Sequence, residues 1–187
     1  MKQQFTKTRP WAILAAGAAI QVLTGLPAAW GVFQRPVMEE YGLSEQGAGY
    51  AFGILIAAFG VGCVLGGFLQ DSRGPRCAAL WGTALLCGGF FAAAMLPGGS
   101  AGSFFLAFSI PAGLGTAFLY PSIQSCAQKW YAGRKGLATG VIGGAVGLSG
   151  AFLTVFVRTA VSGFGIVWGI RGAFWALGAI TLPVCLA

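Results

Sequence analysis

Histidine is absent from this chain, and its 187 residues include only four acidic side chains: Glu39, Glu40, Glu45 and the lone aspartate Asp71. Those absences remove most catalytic chemistry. No imidazole can act as a base, no acid lies within an apolar run, and no nucleophile stands beside a base, so an enzyme has nothing to work with. The five cysteines, at 63, 77, 87, 126 and 185, lack metal-ligand spacing and lie in or beside apolar runs. They read as small buried hydrophobes, not as a disulfide frame or a metal site. No cofactor is expected. Charge of either sign is scarce at 8%, where soluble domains carry about 25%, and such a composition cannot cover a water-facing surface. The net charge of +7 does not point to nucleic acid, because the basic residues fall in short clusters between apolar runs. That is the pattern of topology control. Residues 1–10 are basic and polar, but the apolar run after them is too long for a cleavable signal peptide.

What the chain has instead is hydrophobic length, with 57% of its residues apolar. At ~20 residues per crossing plus loops, about six membrane helices fit. They are expected at about residues 11–33, 47–69, 77–96, 104–127, 136–157 and 166–187, after a cytoplasmic segment over 1–10. The fold class is all-α: a polytopic membrane protein whose transmembrane bundle occupies 11–187. Gly17, Gly25 and Pro27 predict a kink or local unwinding in the first span. Residues 34–46, with Arg35 and the three glutamates, read as the connection that follows, and 158–165 as a short connection before the last span. Lys2, Lys7, Arg9, Arg73, Arg76, Lys129, Arg134 and Lys135 fall on one side of this threading; Arg35, Arg158, Arg171 and the glutamates fall on the other. The positive-inside rule places the first group in the cytoplasm.

Glycine is abundant, at 32 residues. Gly62/Gly66, Gly136/Gly140 and Gly143/Gly147 have the four-residue spacing that lets helix backbones approach closely. That spacing serves static bundle packing or sliding against a partner, and it does not distinguish the two.

The stretch 66–76, Gly-Gly-Phe-Leu-Gln-Asp-Ser-Arg-Gly-Pro-Arg, is a charged tight turn between two apolar runs and must lie in water at a membrane face. Read as Gly67, Leu69, Asp71, Gly74 and Arg76, it resembles the loop between helices 2 and 3 of the major facilitator superfamily. Tyr120-Pro121, then Lys129-Trp130-Tyr131-Ala132-Gly133-Arg134-Lys135-Gly136-Leu137-Ala138-Thr139-Gly140, resemble the helix 4 to 5 region of the oxalate/formate antiporter-like family, which is related to monocarboxylate transporters. Gly25, Trp30, Phe33 and Pro36 are similar to that family's helix 1 exit, and 169–174 to the start of its helix 6. There are departures. The loop cation sits at Arg73 rather than at Ser72, and Ala132 stands where the family's loop proline is common. Pro27, Ala28 and Val146 replace polar or aromatic cavity groups of the oxalate transporter, so the resemblance does not carry oxalate itself over to this chain.

The resemblance implies a secondary active transporter, multi-pass in a bacterial inner membrane, moving a small organic anion by alternating access. This chain would be the N-terminal half, paired with a C-terminal six-helix half that holds the cations and titratable groups. Substrate-lining candidates are Tyr120, as a hydroxyl donor, with Trp30, Gln124 and Gln21; the two glutamines can equally satisfy neighbouring helices or waters. Gly67, Asp71, Arg73, Gly74 and Arg76 are the implied gating group. Asp71 would brace the cytoplasmic ends of the two halves, and the arginines would pair with it or with lipid phosphate. The alternatives are a six-helix membrane protein that does not transport, such as an assembly factor or sensor, and a half-transporter acting as a homodimer.

Overall fold

The computed structural model describes residues 10–163 and 169–186, and every described element is helical. The elements are α1 (Pro10–Thr24), α2 (Leu26–Tyr41), α3 (Glu45–Arg73), α4 (Pro75–Met95), α5 (Ala101–Phe104), a π-helical turn (Phe105–Ser109), α6 (Ile110–Trp130), α7 (Lys135–Gly163) and α8 (Gly169–Leu186). Joined end to end, they make five segments long and apolar enough to cross a membrane, and α8 carries a shorter apolar helix, Gly169–Cys185. This agrees with the expected bundle. The cytoplasmic segment, with Lys2, Lys7 and Arg9, and the residues 164–168 that open the last expected span lie outside the described residues.

The first crossing, Trp11–Tyr41, is broken at Gly25. Pro27 sits in the first turn of α2, where a missing N–H costs nothing. A break inside a bilayer frees carbonyls that must find donors, and Ser149 Oγ of α7 donates to the Gly25 carbonyl at 2.9 Å. The approach is so close that a Cβ on Gly25 would run into the Ser149 side chain. The anticipated unwinding is therefore a point of helix–helix contact.

Two boundaries differ from expectation. Residues 34–41 continue α2 as helix, because Leu26, Ala29, Trp30, Phe33, Val37 and Tyr41 keep one apolar face that is buried throughout. Arg35 and Glu39 are exposed on the other side of the helix, Glu40 is half-buried at the edge of the apolar face, and Gly42, at φ 65°, ends it. Residues 158–163, expected as part of the last connection, are helical, since α7 runs on to Gly163. Ser44, which the sequence reading does not single out, caps α3 by accepting from the Gly47 N–H at 3.1 Å. As expected, Gly74, at φ 88°, turns the chain into Pro75 of α4.

In lipid, helices gain little from hydrophobic transfer and associate through close packing instead. α6 lies against both α3 and α4, α8 against α4, and α7 against α1 and α2. Gly62 and Gly66 receive Leu114, Ala117 and Phe118 of α6, and Gly82 abuts the Gly115 carbonyl. The core is aromatic. Phe104 and Phe108 stack at 5.1 Å, and Phe174 of α8 and Phe90 of α4 close round them at 5.0 and 6.0 Å from Phe108.

Candidate functional site

The polar atoms of the spans are few, so their depth and partners decide what the bundle can bind. Gln21 is almost fully buried on α1; its Oε1 accepts from Thr24 Oγ1 at 3.4 Å, while its Nε2 has no partner among the described residues. Tyr120 and Gln124 are half-buried on α6, one turn apart, and Gln124 Oε1 is buried without a partner. An unpaired buried amide atom costs about 1–3 kcal/mol, and two such atoms point to a ligand, a water or a partner chain.

Helix contacts fix the relative depths. Gly17 meets Ile123 of α6 and Ile142 of α7, and Gly25 meets Ser149 two turns further on. Gln21 therefore lies between these levels, opposite the turn of α6 that carries Tyr120, with Gln124 about a turn nearer the end that bears Lys135. Trp30 is elsewhere. It is buried against Phe52 and Phe108, with ring centroids 6.1 and 6.3 Å away, and Phe108 precedes Tyr120 by roughly 18 Å of helix axis at 1.5 Å per residue. The structure thus brings Gln21, Tyr120 and Gln124 to neighbouring levels and keeps Trp30 in the aromatic core.

The two ends of the bundle differ. At one, Arg171 Nε lies 2.9 Å from Glu40 Oε1 and Arg171 Nη2 donates to the Leu96 carbonyl. The Nε contact is an ion pair by distance without hydrogen-bond alignment. Beside it the Tyr41 hydroxyl donates to the Ala93 carbonyl at 2.7 Å, and the Gly99 N–H to the Glu40 carbonyl at 3.2 Å. This clasp joins the first, third and sixth spans and the loop that follows the third. Sequence reading grouped Arg171 with the glutamates on one face but gave no means of choosing their pairing.

At the other end, Asp71 is exposed in the last turn of α3, not in the loop where the motif had placed it. The reason is that Gly74 alone suffices to reverse the chain. A carboxylate at a helix C-terminus meets the wrong end of the helix dipole, an unfavourable term of about 0.3–1 kcal/mol, so α3 does not explain Asp71. Arg73 and Arg76 are exposed as well, and among the described residues no ion pair involves any of the three. Gly67 has open space where a Cβ would stand. So do Gly60 of α3 and Gly136, Gly140, Gly143, Gly144 and Gly147 of α7, whereas Gly62 and Gly66 are filled by α6. The glycine spacing therefore serves two ends: packing within the bundle on one face of α3, and an uncovered surface along α7.

A bundle of membrane-length helices, with a few polar atoms sequestered inside it and its charges confined to the two ends, is the architecture of a multi-pass membrane protein. Residues 9–187 match the Major Facilitator Superfamily, and the chain belongs to that family.

An uncharacterized 38 kDa protein in the 23S RNA operon of Thermoproteus tenax is 30% identical over 177 residues, which cover 94% of this chain and 44% of that protein. The fujikurins efflux protein of Gibberella fujikuroi is 24% identical over 82% of this chain and 32% of its own length. The oxalate:formate antiporter of Oxalobacter formigenes is 23% identical over 85% of this chain and 36% of its own length. A crystal structure of a peptide transporter in complex with sulfate superposes with a TM-score of 0.74 at 19% identity, over 99% of this chain and 39% of that one. The chain spans less than half the length of each of these proteins.

Proposed function

We propose that this chain forms the N-terminal half of a secondary active transporter for a small organic anion, a mono- or dicarboxylate, working by alternating access against a C-terminal six-helix half. The observation that carries the reading is that Gln21, Tyr120 and Gln124 lie at neighbouring levels of the bundle, each glutamine with a buried amide atom that has no partner among the described residues. The likeness to an oxalate:formate antiporter supports the substrate class. In this reading Tyr120 donates its hydroxyl to a carboxylate oxygen, the glutamines complete the lining, and Trp30 shapes the cavity wall from the core. Cations of the other half hold most of the charge. The end that bears Arg73, Arg76, Lys129, Arg134 and Lys135 faces the cytoplasm of a bacterial inner membrane, as its positive charge favours. Asp71 there latches the two halves through a helix N-terminus of the partner half, with Gly67, Gly74, Arg73 and Arg76 forming the surface it closes on.

Uptake of labelled carboxylates into proteoliposomes holding the full-length protein tests this. Tyr120→Phe should weaken substrate affinity about tenfold, because a hydrogen bond to a charged group is worth about 1.5–3 kcal/mol and 1.4 kcal/mol is a factor of ten. Expression and thermal stability should hold. No uptake of any carboxylate by the wild type would favour a non-transporting membrane protein, and unchanged affinity in the variant would return Tyr120 to packing.

A further inference from the structure

We propose that the cavity between the end of α6 and the start of α7 is a binding site for a phosphate group, the phosphodiester of an anionic lipid or a soluble phosphate. It holds about 370 Å³ and is lined by Ser125, Gln128, Lys129, Ala132 and Lys135, within the ~300–1,000 Å³ common for ligand pockets. Its charge is of one sign. Lys129 and Lys135 stand on its two walls, Arg134 lies in the turn between them, and among the described residues none of these cations is paired with an acid.

The other basic turn is different, because Asp71 sits within a few residues of Arg73 and Arg76 and offsets them. The walls are also held in place. Gln128 Nε2 donates to Thr139 Oγ1 at 2.9 Å, tying the last turns of α6 to the first turns of α7. That bond holds together the two helix ends from which the exposed side chains of Lys129 and Lys135 project. A 29-residue helix starts at Lys135, so its positive pole faces the same place.

A doubly anionic or diester phosphate suits this set. It offers several acceptor oxygens to two ammonium groups that act as point charges, and basic pockets between membrane helices take lipid headgroups for that reason. Neither the solute path nor the Asp71 latch uses these residues, so the site stands independently of the transport reading.

The test is native mass spectrometry of the full-length protein in detergent, titrated with phosphatidylglycerol, with phosphatidylcholine as the zwitterionic reference. Lys129→Gln with Lys135→Gln should lower phosphatidylglycerol affinity by roughly thirtyfold, at about fivefold for each lysine. Lys129→Arg with Lys135→Arg should retain most of it, and Arg73→Gln with Arg76→Gln should change it by less than threefold. Displacement of the lipid by millimolar inorganic phosphate assigns the site to soluble phosphate; resistance to displacement assigns it to the headgroup. Equal losses in the lysine and arginine pairs, or no preference of the wild type for phosphatidylglycerol, would show only diffuse surface charge and overturn the proposal.

Discussion

Replacing Gly25 with alanine tests the packing of the broken first span most directly. A Cβ built there collides with the Ser149 side chain and also lies 3.1 Å from the Gln21 carbonyl. Both neighbours are constrained. Ser149 is fully buried, and its hydroxyl proton is shared between the Gly25 carbonyl at 2.9 Å and the Val146 carbonyl at 2.6 Å. Relief requires α1 and α7 to separate or Ser149 to rotate away, and rotation leaves the Ala28 N–H, 3.1 Å away, as the remaining donor to the Gly25 carbonyl. Overpacking of this kind costs about 1–3 kcal/mol, and loss of the second hydrogen bond to the carbonyl adds about 1 kcal/mol.

Gly25→Ala should therefore destabilise the protein by about 2–4 kcal/mol. Ser149→Ala, which only removes a shared donor, should cost about 1 kcal/mol. The double variant Gly25→Ala/Ser149→Gly opens the space again and should be more stable than Gly25→Ala alone, an interaction term opposite in sign to additivity. Thermal unfolding of the purified full-length protein in detergent, followed by loss of monodisperse material, measures all three. A Gly25→Ala protein that melts with the wild type would refute the close approach. A double variant worse than either single one would place the strain elsewhere.

Three further outcomes are expected. Glu40→Gln and Arg171→Gln should show a coupling of about 0.5–1 kcal/mol in a double-mutant cycle, since both side chains are about one-third exposed and solvent screens the pair; Arg171→Gln should be the worse single change because it also abandons the Leu96 carbonyl, and strict additivity would dissolve the clasp. Asp71→Asn should reduce transport sharply while leaving substrate affinity and stability nearly unchanged, and equal transport by mutant and wild type counts against the latch. Single cysteines at Glu40 and Gly133, in a background lacking the native cysteines, should react with impermeant reagents from opposite sides, and labelling of both from outside would invert or break the threading.

Much of the bundle is legible in the residues because lipid leaves the backbone few options. Membrane-length apolar runs and the Gly74-Pro75 reversal are local signals, and both hold in three dimensions. Residues 34–41 were misread because charge density suggests a loop, while the helix is held by Phe33, Val37 and Tyr41 on a face that only tertiary packing reveals. The site divides in the same way. Tyr120 and Gln124 share a helix face by spacing alone, so their pairing is visible at once. That Gln21 reaches their level depends on Gly17 touching Ile123 and Gly25 touching Ser149, contacts between spans far apart in the chain. Glu40 was one of three glutamates available to Arg171, and position along the chain does not rank them.

The π-helical turn at Phe105–Ser109 has a consequence for how the fourth crossing is aimed. Its rings close between residues five apart, as the Ile110 N–H bonding to the Phe105 carbonyl shows, so one turn absorbs a residue more than an α-turn does. In an unbroken α-helix each residue advances the side-chain direction by about 100°. The extra residue therefore works as a phase shifter between two segments with separate duties. The upper segment points Phe104 at Tyr41 and Phe174, and the lower presents Gly113 and Gly115 to α3 and α4. Wound as one uniform helix, the crossing would aim only one of these correctly, and the other would be turned by about a quarter of a revolution toward lipid.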